Sequence, residues 1–499
     1  MHLIDVIVLL GYFAAMLGIG FLFVRKSGRT EEYMAAGGSL PGWAVGLSLF
    51  GTYVSSISFI ALPGVAYGGN WNRFVFSVSL PLAAWVATRW FVPFYRRLGQ
   101  VSAYEHLEKR FGPWARQYAV ICYMVTHLIR IGMIAYLVAL AVSPLTGWPV
   151  PVIILLVGVS VTIYSVVGGV EAVVWTDVVQ SGILILGVLV CVGLLLFGLP
   201  EGPGQLFAIA ADNDKFSLGS FAPDPTALSP TVWVVLLYGL FINLQNFGID
   251  QSFVQRYQTA RSDGDARRSV WIGALLYVPI SALFLFIGTA LFAFYKAQPG
   301  LLSAEVDKAD KVFPFFMGQQ VPRGVLGLLI AALLAAAMSS ISTCLNASAT
   351  LFLCDVYKRY LRPQAGERES MRVLHGATAV AGIGCVGTAL LLMEVQTALD
   401  KWWELAGIFG GGMLGLFLLG LISRRATGAA ALIGTVFGVV AIAWMTLVPQ
   451  PLHPLLVIVV GTLTILGVGL LAATLLGRGS ASQATSPPDR LPTSPPARW

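Results

Sequence analysis

A dense group of hydroxyl side chains lies inside a long apolar stretch that reads LIAALLAAAMSSISTCLNASAT. Ser339, Ser342 and Thr343 fall at positions i, i+3 and i+4, so their hydroxyls share one face of a helix. Ser340 lies beside that face. Such hydroxyls often bond only to their own helix. A dense set of neutral oxygen atoms is also suited to a hard monovalent cation, and the residues alone leave both interpretations open.

Two charged side chains lie within apolar stretches, where an unpaired charge is costly. Asp177 comes about one turn into its stretch. We expect this carboxylate to pair or to bind a cation, with a water-exposed interfacial carboxylate as the alternative. Arg130 lies near the middle of YMVTHLIRIGMIAYL, too deep to reach an interface easily. It is expected to hold an anionic group of a solute or to fix its helix through an internal contact. For His127, on the same face, we expect a hydrogen-bonded core role.

Two further apolar stretches are interrupted by small polar residues. One reads WAVGLSLFGTYVSSISFIALPG, with Gly51 and four hydroxyl residues near its middle. The other reads VVLLYGLFINLQNFGIDQ and carries polar residues between Gly239 and Gly248. Such clusters weaken a helix or form a small-residue packing face. Because they are the second and the seventh of the predicted spans, with four spans between them, the two segments cross in opposite directions. This is the pattern of an inverted-repeat transporter with its site at the membrane midplane.

The elements that position these residues are membrane helices. The chain has 499 residues, of which 57% are hydrophobic and 11% are charged, and its mean hydropathy is +0.79. A soluble chain carries about 25% charged residues, so secreted enzymes, cytosolic enzymes and disordered regulators are excluded. The long, non-alternating apolar runs favour bundled helices over a barrel. The net charge of +7 is interpreted as loop orientation and not as nucleic-acid binding.

Enzymatic motifs are missing from the sequence. The five cysteines form no C-x-x-C pair, and the five histidines show no metal-ligand spacing. The sequence also has no P-loop and no G-x-S-x-G elbow. We therefore expect a protein that is not an enzyme, that holds no organic cofactor and that draws on an ion gradient. Membrane lipid is its expected surrounding, and no obligatory protein partner is implied.

Hydropathy predicts thirteen spans, with boundaries good to a few residues. They are 3–24, 43–68, 74–95, 117–142, 150–170, 174–198, 231–253, 269–296, 324–354, 372–393, 403–422, 427–447 and 452–477. With the N-terminus outside, nineteen of the 31 lysines and arginines, Arg256 among them, lie in inner loops and seven in outer loops. This bias predicts a periplasmic N-terminus and a cytoplasmic C-terminus. The Ser/Pro-rich tail 478–499 is expected to be disordered.

The sequence resembles the sodium/solute symporter family. The similarity covers nearly the whole chain up to the tail and includes GGVEAVVWTDVVQ, DQSFVQRY and AAAMSSISTCLNA. Within the family, FGTYVSSISFIALPGVAY and HLIRIGMIAYL are most similar to bacterial sialic acid symporters. The resemblance implies an all-α integral membrane protein of about 13 transmembrane helices. It implies a LeuT-type five-plus-five inverted repeat (about 43–198 and 231–422), with one extra N-terminal and two extra C-terminal helices. Residues 1–477 would form a single transporter domain in the bacterial inner membrane.

The resemblance also implies three sets of site residues. The sodium site common to the fold would use the carbonyls of Gly51, Val54 and Ala336 and the hydroxyls of Ser339 and Ser340. The second sodium site would use Asp177, Ser339, Ser342 and Thr343. The substrate site would use Tyr53, Ser55, Ser58, Ser77 and Arg130, with Arg130 taking the carboxylate of an anionic solute.

Three departures from the family pattern bear on the solute. Tyr53 replaces a small hydroxyl residue, Ser77 replaces a glutamine, and Arg73 stands where an aromatic residue is expected. The implied function is sodium-coupled symport of a small carboxylated solute by alternating access, with sialic acid as the leading candidate. Another monocarboxylate, an amino acid or a sugar is the alternative. A membrane sensor that does not transport is a rival of another class, and the 22-residue tail has no room for a kinase domain.

Overall fold

The computed structural model describes residues 2–23, 28–227, 229–303, 306–394, 398–448 and 452–477. Within these ranges the side chains of residues 57, 394, 398–407 and 477 are not described. The predicted tail, 478–499, lies outside the described residues.

Helices make up nearly all of the regular structure in the described ranges. The first ten α-helices are α1 (Leu3–Leu22), α2 (Thr30–Ala35), α3 (Gly42–Tyr53), α4 (Ser56–Gly68), α5 (Phe74–Val86), α6 (Val92–Leu98), α7 (Glu105–Phe111), α8 (Pro113–Thr146), α9 (Val150–Phe197) and α10 (Pro203–Asp212). The others are α11 (Val232–Ile249), α12 (Gln251–Thr259), α13 (Asp263–Ala297), α14 (Ala309–Gln320), α15 (Val325–Leu351), α16 (Glu367–Leu391), α17 (Ala398–Ile422), α18 (Gly428–Leu447) and α19 (Val457–Gly477). Short π segments, Ala87–Phe91 and Phe352–Leu361, extend α5 and α15.

Ten helices in the described part of the chain are long and apolar enough to cross a membrane, or eleven if α3 and α4 count as one bent span. The sequence prediction was thirteen spans. Two of the predicted spans fall on the single 48-residue helix α9. Another falls on α17, whose described segment Ile408–Ile422 is apolar but shorter than the ten spanning helices. The chain is therefore all-α and multi-pass, and the exact number of spans stays a prediction.

Three predicted spans are bent or broken. Helices α3 and α4 meet at 54° across Val54 and Ser55, inside the predicted polar cluster. Helix α9 kinks at Gly169, whose φ of +57° favours glycine, and a Cβ there would lie 2.9 Å from the Tyr33 ring. The break between α11 and α12 falls at Asp250. The sequence placed this interruption earlier, between Gly239 and Gly248, but α11 runs through those residues without a break.

Helix α15 lies at the centre of the bundle. In its most apolar window 83% of residues are buried, against 28% for α1 and for α16. It packs against α9, α8, α1 and α16. Large apolar side chains on the outer helices, such as Leu186 and Ile383, are exposed, as expected of a surface that faces lipid. The small residues of α15 allow this close approach from several sides.

A backbone bridge ties the two broken segments together at one end. Leu40, just before α3, donates to the carbonyl of Thr259 (3.0 Å), and Arg261 donates back to the carbonyl of Leu40 (3.0 Å). The start of α3 and the end of α12 are thereby joined. Any movement of one of these helices at this end involves the other.

Candidate functional site

The predicted hydroxyl face of α15 is fully buried. Ser339, Ser340, Ser342 and Thr343 are each at most 1% exposed. Ser340 donates back to the carbonyl of Ala336 (3.3 Å), and Ser342 donates to the carbonyl of Ser339 (3.0 Å). These are contacts within one helix, as the simpler interpretation of the sequence expected. Ser339 and Thr343 reach other helices, so the face is not only a packing surface.

Asp177 on α9 points into the hydroxyl face of α15. Its carboxylate is 0% exposed, which excludes the alternative of a water-exposed interfacial carboxylate. Ser339 donates to Oδ1 (2.6 Å), and Ser48 of α3 donates to Oδ2. The structure thus brings together α3, α9 and α15 around one buried carboxylate. A buried charge of this kind requires a cationic partner or several hydrogen bonds.

Arg256 on α12 supplies that cationic partner, and the sequence prediction missed it. Its Nη2 lies 3.1 Å from Asp177 Oδ2 and donates to Thr343 Oγ1 (2.6 Å). The nitrogen Nε donates to Ser48 Oγ (2.7 Å), and Nη1 donates to the Ser252 carbonyl (2.8 Å).

The sequence prediction placed Arg256 among the basic residues of an inner loop. Arg256 lies instead on helix α12 and is 1% exposed. The composition of helix α12 could have revealed that Arg256 is buried. Every residue from Gln251 to Tyr257 is buried, although four of the seven are polar or charged. A short polar segment that follows a broken span is more consistent with a core element than with a loop.

The residues predicted for the shared sodium site also converge. Helix α3 ends at Tyr53, so the carbonyls of its last turn, Gly51 among them, have no intrahelical donor. Gly51 lies directly against α15, and a Cβ built on it would be 2.6 Å from Ser339 Oγ. Val54 sits at the break itself, with φ of −84° and ψ of 110°. Free carbonyls at a helix break beside serine hydroxyls form a donor set suited to a sodium ion.

Arg130 on α8 faces the break between α3 and α4. Its Nη2 lies 3.5 Å from the Thr52 carbonyl, and one turn further along α8 the Ile134 carbonyl accepts a hydrogen bond from Ser56 (3.3 Å). Arg130 is half-buried, and within the described residues no carboxylate lies at ion-pair distance from it. The nearby residues Ser55 (buried) and Ser58 (half-buried) flank the same break.

Two of the predicted substrate residues, Tyr53 and Ser77, lie where other helices pack together. The Tyr53 ring is buried against Phe247, Phe253 and Tyr277, with centroids 4.8 to 5.7 Å apart, and its hydroxyl has no hydrogen-bond partner in the described part of the chain. Ser77 is buried on α5, which packs on α11 and α13. No hydrogen bond among the described residues joins Ser77 to Arg130 or to the break.

A second buried polar group fastens the α11–α12 break to α8. Asp250 Oδ1 accepts from the Ser252 amide (2.8 Å), which caps α12, while Oδ2 lies 3.1 Å from His127 Nε2. His127 stacks on Tyr123 (3.8 Å between centroids), and the Tyr123 hydroxyl bonds to Ser252 Oγ (2.6 Å). His127 therefore has the core role that the sequence predicted, in contact with the second break.

The chain is similar to known sodium-coupled transporters in both sequence and structure. The family model described as the sodium:solute symporter family matches residues 33–438. The chain is 34% identical over 479 residues to the sodium/sialic acid symporter NanT of Aliivibrio fischeri, which covers 95% of this chain and 93% of that protein. It is 35% identical over 448 residues to the sodium/sialic acid symporter SiaT of Proteus mirabilis, which covers 88% of each.

A solved structure is similar over the same length. It is a Na⁺-coupled sialic acid symporter in a substrate-bound, outward-open state that contains a novel Na⁺ site. The two chains superpose with a TM-score of 0.89 at 32% identity, and the match covers 95% of this chain and 98% of the other.

Proposed function

We propose, since the chain belongs to the sodium:solute symporter family, that it carries sialic acid (N-acetylneuraminate) or a similar carboxylated solute into the cell together with sodium. The family predicted from the sequence motifs is confirmed. The members of this family are transporters, and sodium is the coupling ion of the similar proteins. The solute, the site residues and the orientation in the membrane are proposals.

The surroundings of Arg130 are the observation that supports a carboxylated solute. A guanidinium within a membrane helix is costly without an anion, and no carboxylate of the described residues pairs with it. Its Nη2 donates only weakly, to the Thr52 carbonyl at 3.5 Å, beside a helix break flanked by Ser55 and Ser58. The planar fork of an arginine matches a carboxylate through two parallel hydrogen bonds. Arg130 therefore holds the carboxylate of the solute, and Ser55 and Ser58 bind its polar groups.

The sodium ions bind on the side of α15 that faces α3 and α9. The shared site uses Gly51, Val54, Ala336, Ser339 and Ser340. The close approach of Gly51 to Ser339 and the hydrogen bond from Ser340 to the Ala336 carbonyl support this proposal. The second site uses Asp177 with Ser339, Ser342 and Thr343, all buried together. Ser339 belongs to both sets, so the two ions would be coupled through one hydroxyl.

The architecture we propose is the LeuT-type five-plus-five inverted repeat with thirteen spans. The breaks in α3–α4 and α11–α12 are the features that support it, because they fall in corresponding segments of the two halves. The N-terminus is periplasmic and the C-terminus cytoplasmic, as the distribution of basic residues predicts. The protein lies in the bacterial inner membrane.

Transport follows alternating access. Sodium at the shared site bridges the broken α3 to α15 and stabilises the solute site beside it. Solute binding then closes the outer side, and the broken helices move against α8, α9, α15 and α16 as a unit. One positive charge moved inward across 100 mV contributes about 2.3 kcal/mol. Two sodium ions with one carboxylate move one net charge, so the potential contributes about that amount before any concentration difference.

Another carboxylated solute is the second candidate, and Tyr53 is the observation that favours it. Its ring fills space between α3, α11, α12 and α13 where the family pattern has a small hydroxyl residue. A tyrosine whose ring is packed among other aromatic rings does not present a small hydroxyl at this position, so a polyhydroxylated acid loses a polar contact there. Arg73 and Ser77 add two more differences on α5.

Uptake by the purified protein in liposomes tests the function. Labelled sialic acid, smaller monocarboxylates, neutral amino acids and neutral sugars are each offered with an inward sodium gradient and with a matched potassium gradient. Sodium-dependent accumulation of sialic acid supports the proposal, and accumulation of a different acid supports the second candidate. Accumulation of a neutral sugar contradicts the role of Arg130. Binding without accumulation of any solute would favour a sensor.

A further inference from the structure

The side chain of Arg256 lies among the residues of the proposed second sodium site. A single nitrogen, Nη2, is within hydrogen-bond distance of Asp177 Oδ2 (3.1 Å) and of Thr343 Oγ1 (2.6 Å). Asp177 and Thr343 are two of the four residues of the proposed second sodium site. A sodium ion bound to these same two oxygens would lie close to Nη2. The guanidinium and the ion also carry the same charge, so they repel each other at this distance.

The rest of the guanidinium is held by groups outside the proposed ligand set. Nε donates to Ser48 Oγ (2.7 Å) on α3, and Nη1 donates to the Ser252 carbonyl (2.8 Å) at the start of α12. Two hydrogen bonds of the guanidinium therefore involve no proposed sodium ligand. Only the contacts of Nη2 fall on the proposed second sodium site.

We propose that Arg256 is an internal counter-cation of the second sodium site, and that sodium binds there by displacing its guanidinium from Asp177 and Thr343. This inference rests on the second sodium site of the proposed function. In either state the buried Asp177 carboxylate faces one positive charge, so sodium can leave without exposing an unpaired carboxylate to a medium of low dielectric constant. A site that is never left unpaired can empty and refill in each transport cycle.

The exchange also links the ion to a moving element. Asp177 and Thr343 lie on α9 and α15, whereas Arg256 lies on α12, directly after the break at Asp250. With the guanidinium on Asp177, α12 is fastened to α9 and α15. With sodium in its place, two of the contacts that hold α12 there are released. Occupation of the second site thereby decides how firmly α12 is held.

Sodium-dependent thermal stability of the purified protein tests the displacement. Sodium chloride replaces potassium chloride at constant ionic strength, and the melting temperature is followed without any solute. Arg256→Gln removes the competing charge, so it melts lower without sodium and needs less sodium for half of its stabilisation. We expect a decrease of about tenfold or more, because a charge within about 4–6 Å shifts an ionic equilibrium by roughly one to three powers of ten.

Two further variants separate the explanations. Ser48→Ala removes no proposed sodium ligand, but it removes one anchor of Arg256 and one hydrogen bond to Asp177. Both losses favour sodium at Asp177, so the half-saturating sodium concentration should fall by about two- to tenfold, the equivalent of one hydrogen bond. Arg116→Gln is the matched control. Arg116 is also buried (6% exposed) and pairs with Asp355 (2.5 Å), away from the hydroxyl face, so the variant should melt lower with the sodium response of the parent.

Asp177→Asn distinguishes failure of the inference from failure of the second site itself. If Asp177→Asn leaves the sodium titration unchanged, the second site does not exist and the inference falls with it. The other outcome is that Asp177→Asn weakens sodium binding while Arg256→Gln and Ser48→Ala leave sodium binding unchanged or weaken it. In that case the second site exists, and Arg256 is a structural partner or a co-ligand. Tighter sodium binding in both variants supports displacement.

Discussion

Replacement of Gly51 by alanine tests whether α3 and α15 share their ligands as closely as the structure indicates. The added Cβ would lie 2.6 Å from Ser339 Oγ and 3.4 Å from Ser181 Oγ. The first distance is too short, so either Ser339 must turn away or the two helices must separate. Overpacking of this kind costs about 1–3 kcal/mol, and the higher helix propensity of alanine offsets up to about 1 kcal/mol.

The larger consequence concerns sodium. Ser339 Oγ donates to Asp177 (2.6 Å) and is proposed as a ligand of both ions. A hydrogen bond to a charged group contributes about 1.5–3 kcal/mol, so loss of this hydroxyl should raise the half-saturating sodium concentration about ten- to hundredfold. Sodium-driven uptake and sodium-dependent melting of Gly51→Ala should both show the change, while the protein still inserts and folds.

Two glycine variants on α9 provide matched controls. A Cβ at Gly182 meets nothing within 4 Å, so Gly182→Ala should be neutral or slightly stabilising. A Cβ at Gly187 would lie 2.7 Å from the Ala332 Cβ, which overpacks α9 against α15 about two helical turns before Ser339. Gly187→Ala should melt lower but keep the sodium response of the parent. A Gly51→Ala protein with the parent's sodium response would refute the shared role of Ser339.

The remaining predictions concern the solute, the ions and the orientation. Arg130→Lys keeps the charge but loses the planar fork, so the KM for an acidic solute should rise strongly. Arg130→Ala should abolish binding of the acidic solute, measured by calorimetry, and should largely keep the sodium affinity. If Arg130→Ala binds the acid tightly, Arg130 has a structural role. Ser340→Ala should nearly abolish uptake through the shared site. Asp177→Asn should lower the steepness of the sodium dependence of uptake, and an unchanged slope would argue against a second ion. Reporter fusions after Gly69 and Gly477 should lie outside and inside, and an outside signal at Gly477 would mean a miscounted span.

Most helix positions could be predicted from hydropathy, because lipid requires a continuous apolar run for each span. The helices begin and end near the predicted limits, for example at Pro113–Thr146 for 117–142 and at Gly428–Leu447 for 427–447. The break in α3–α4 fell within its predicted cluster. The second break did not, because polar residues in α11 find partners on other helices. Asn243, for instance, donates to Ser79 of α5 (3.1 Å), so the helix tolerates it and continues to Ile249.

The sequence by itself determined which side chains share a helix face, because that follows from a period of 3.6 residues. It therefore placed Ser339, Ser342 and Thr343 together and marked Asp177 and Arg130 as charges that need partners. Only the tertiary structure decided which partners they have. Arg256 on α12 contacts Asp177 on α9, 79 positions earlier in the chain, and His127 contacts Asp250 at the second break. No local pattern encodes these contacts, because they arise from how broken helices pack against continuous ones, and a buried carboxylate such as Asp177 then requires a cationic partner or several hydrogen bonds.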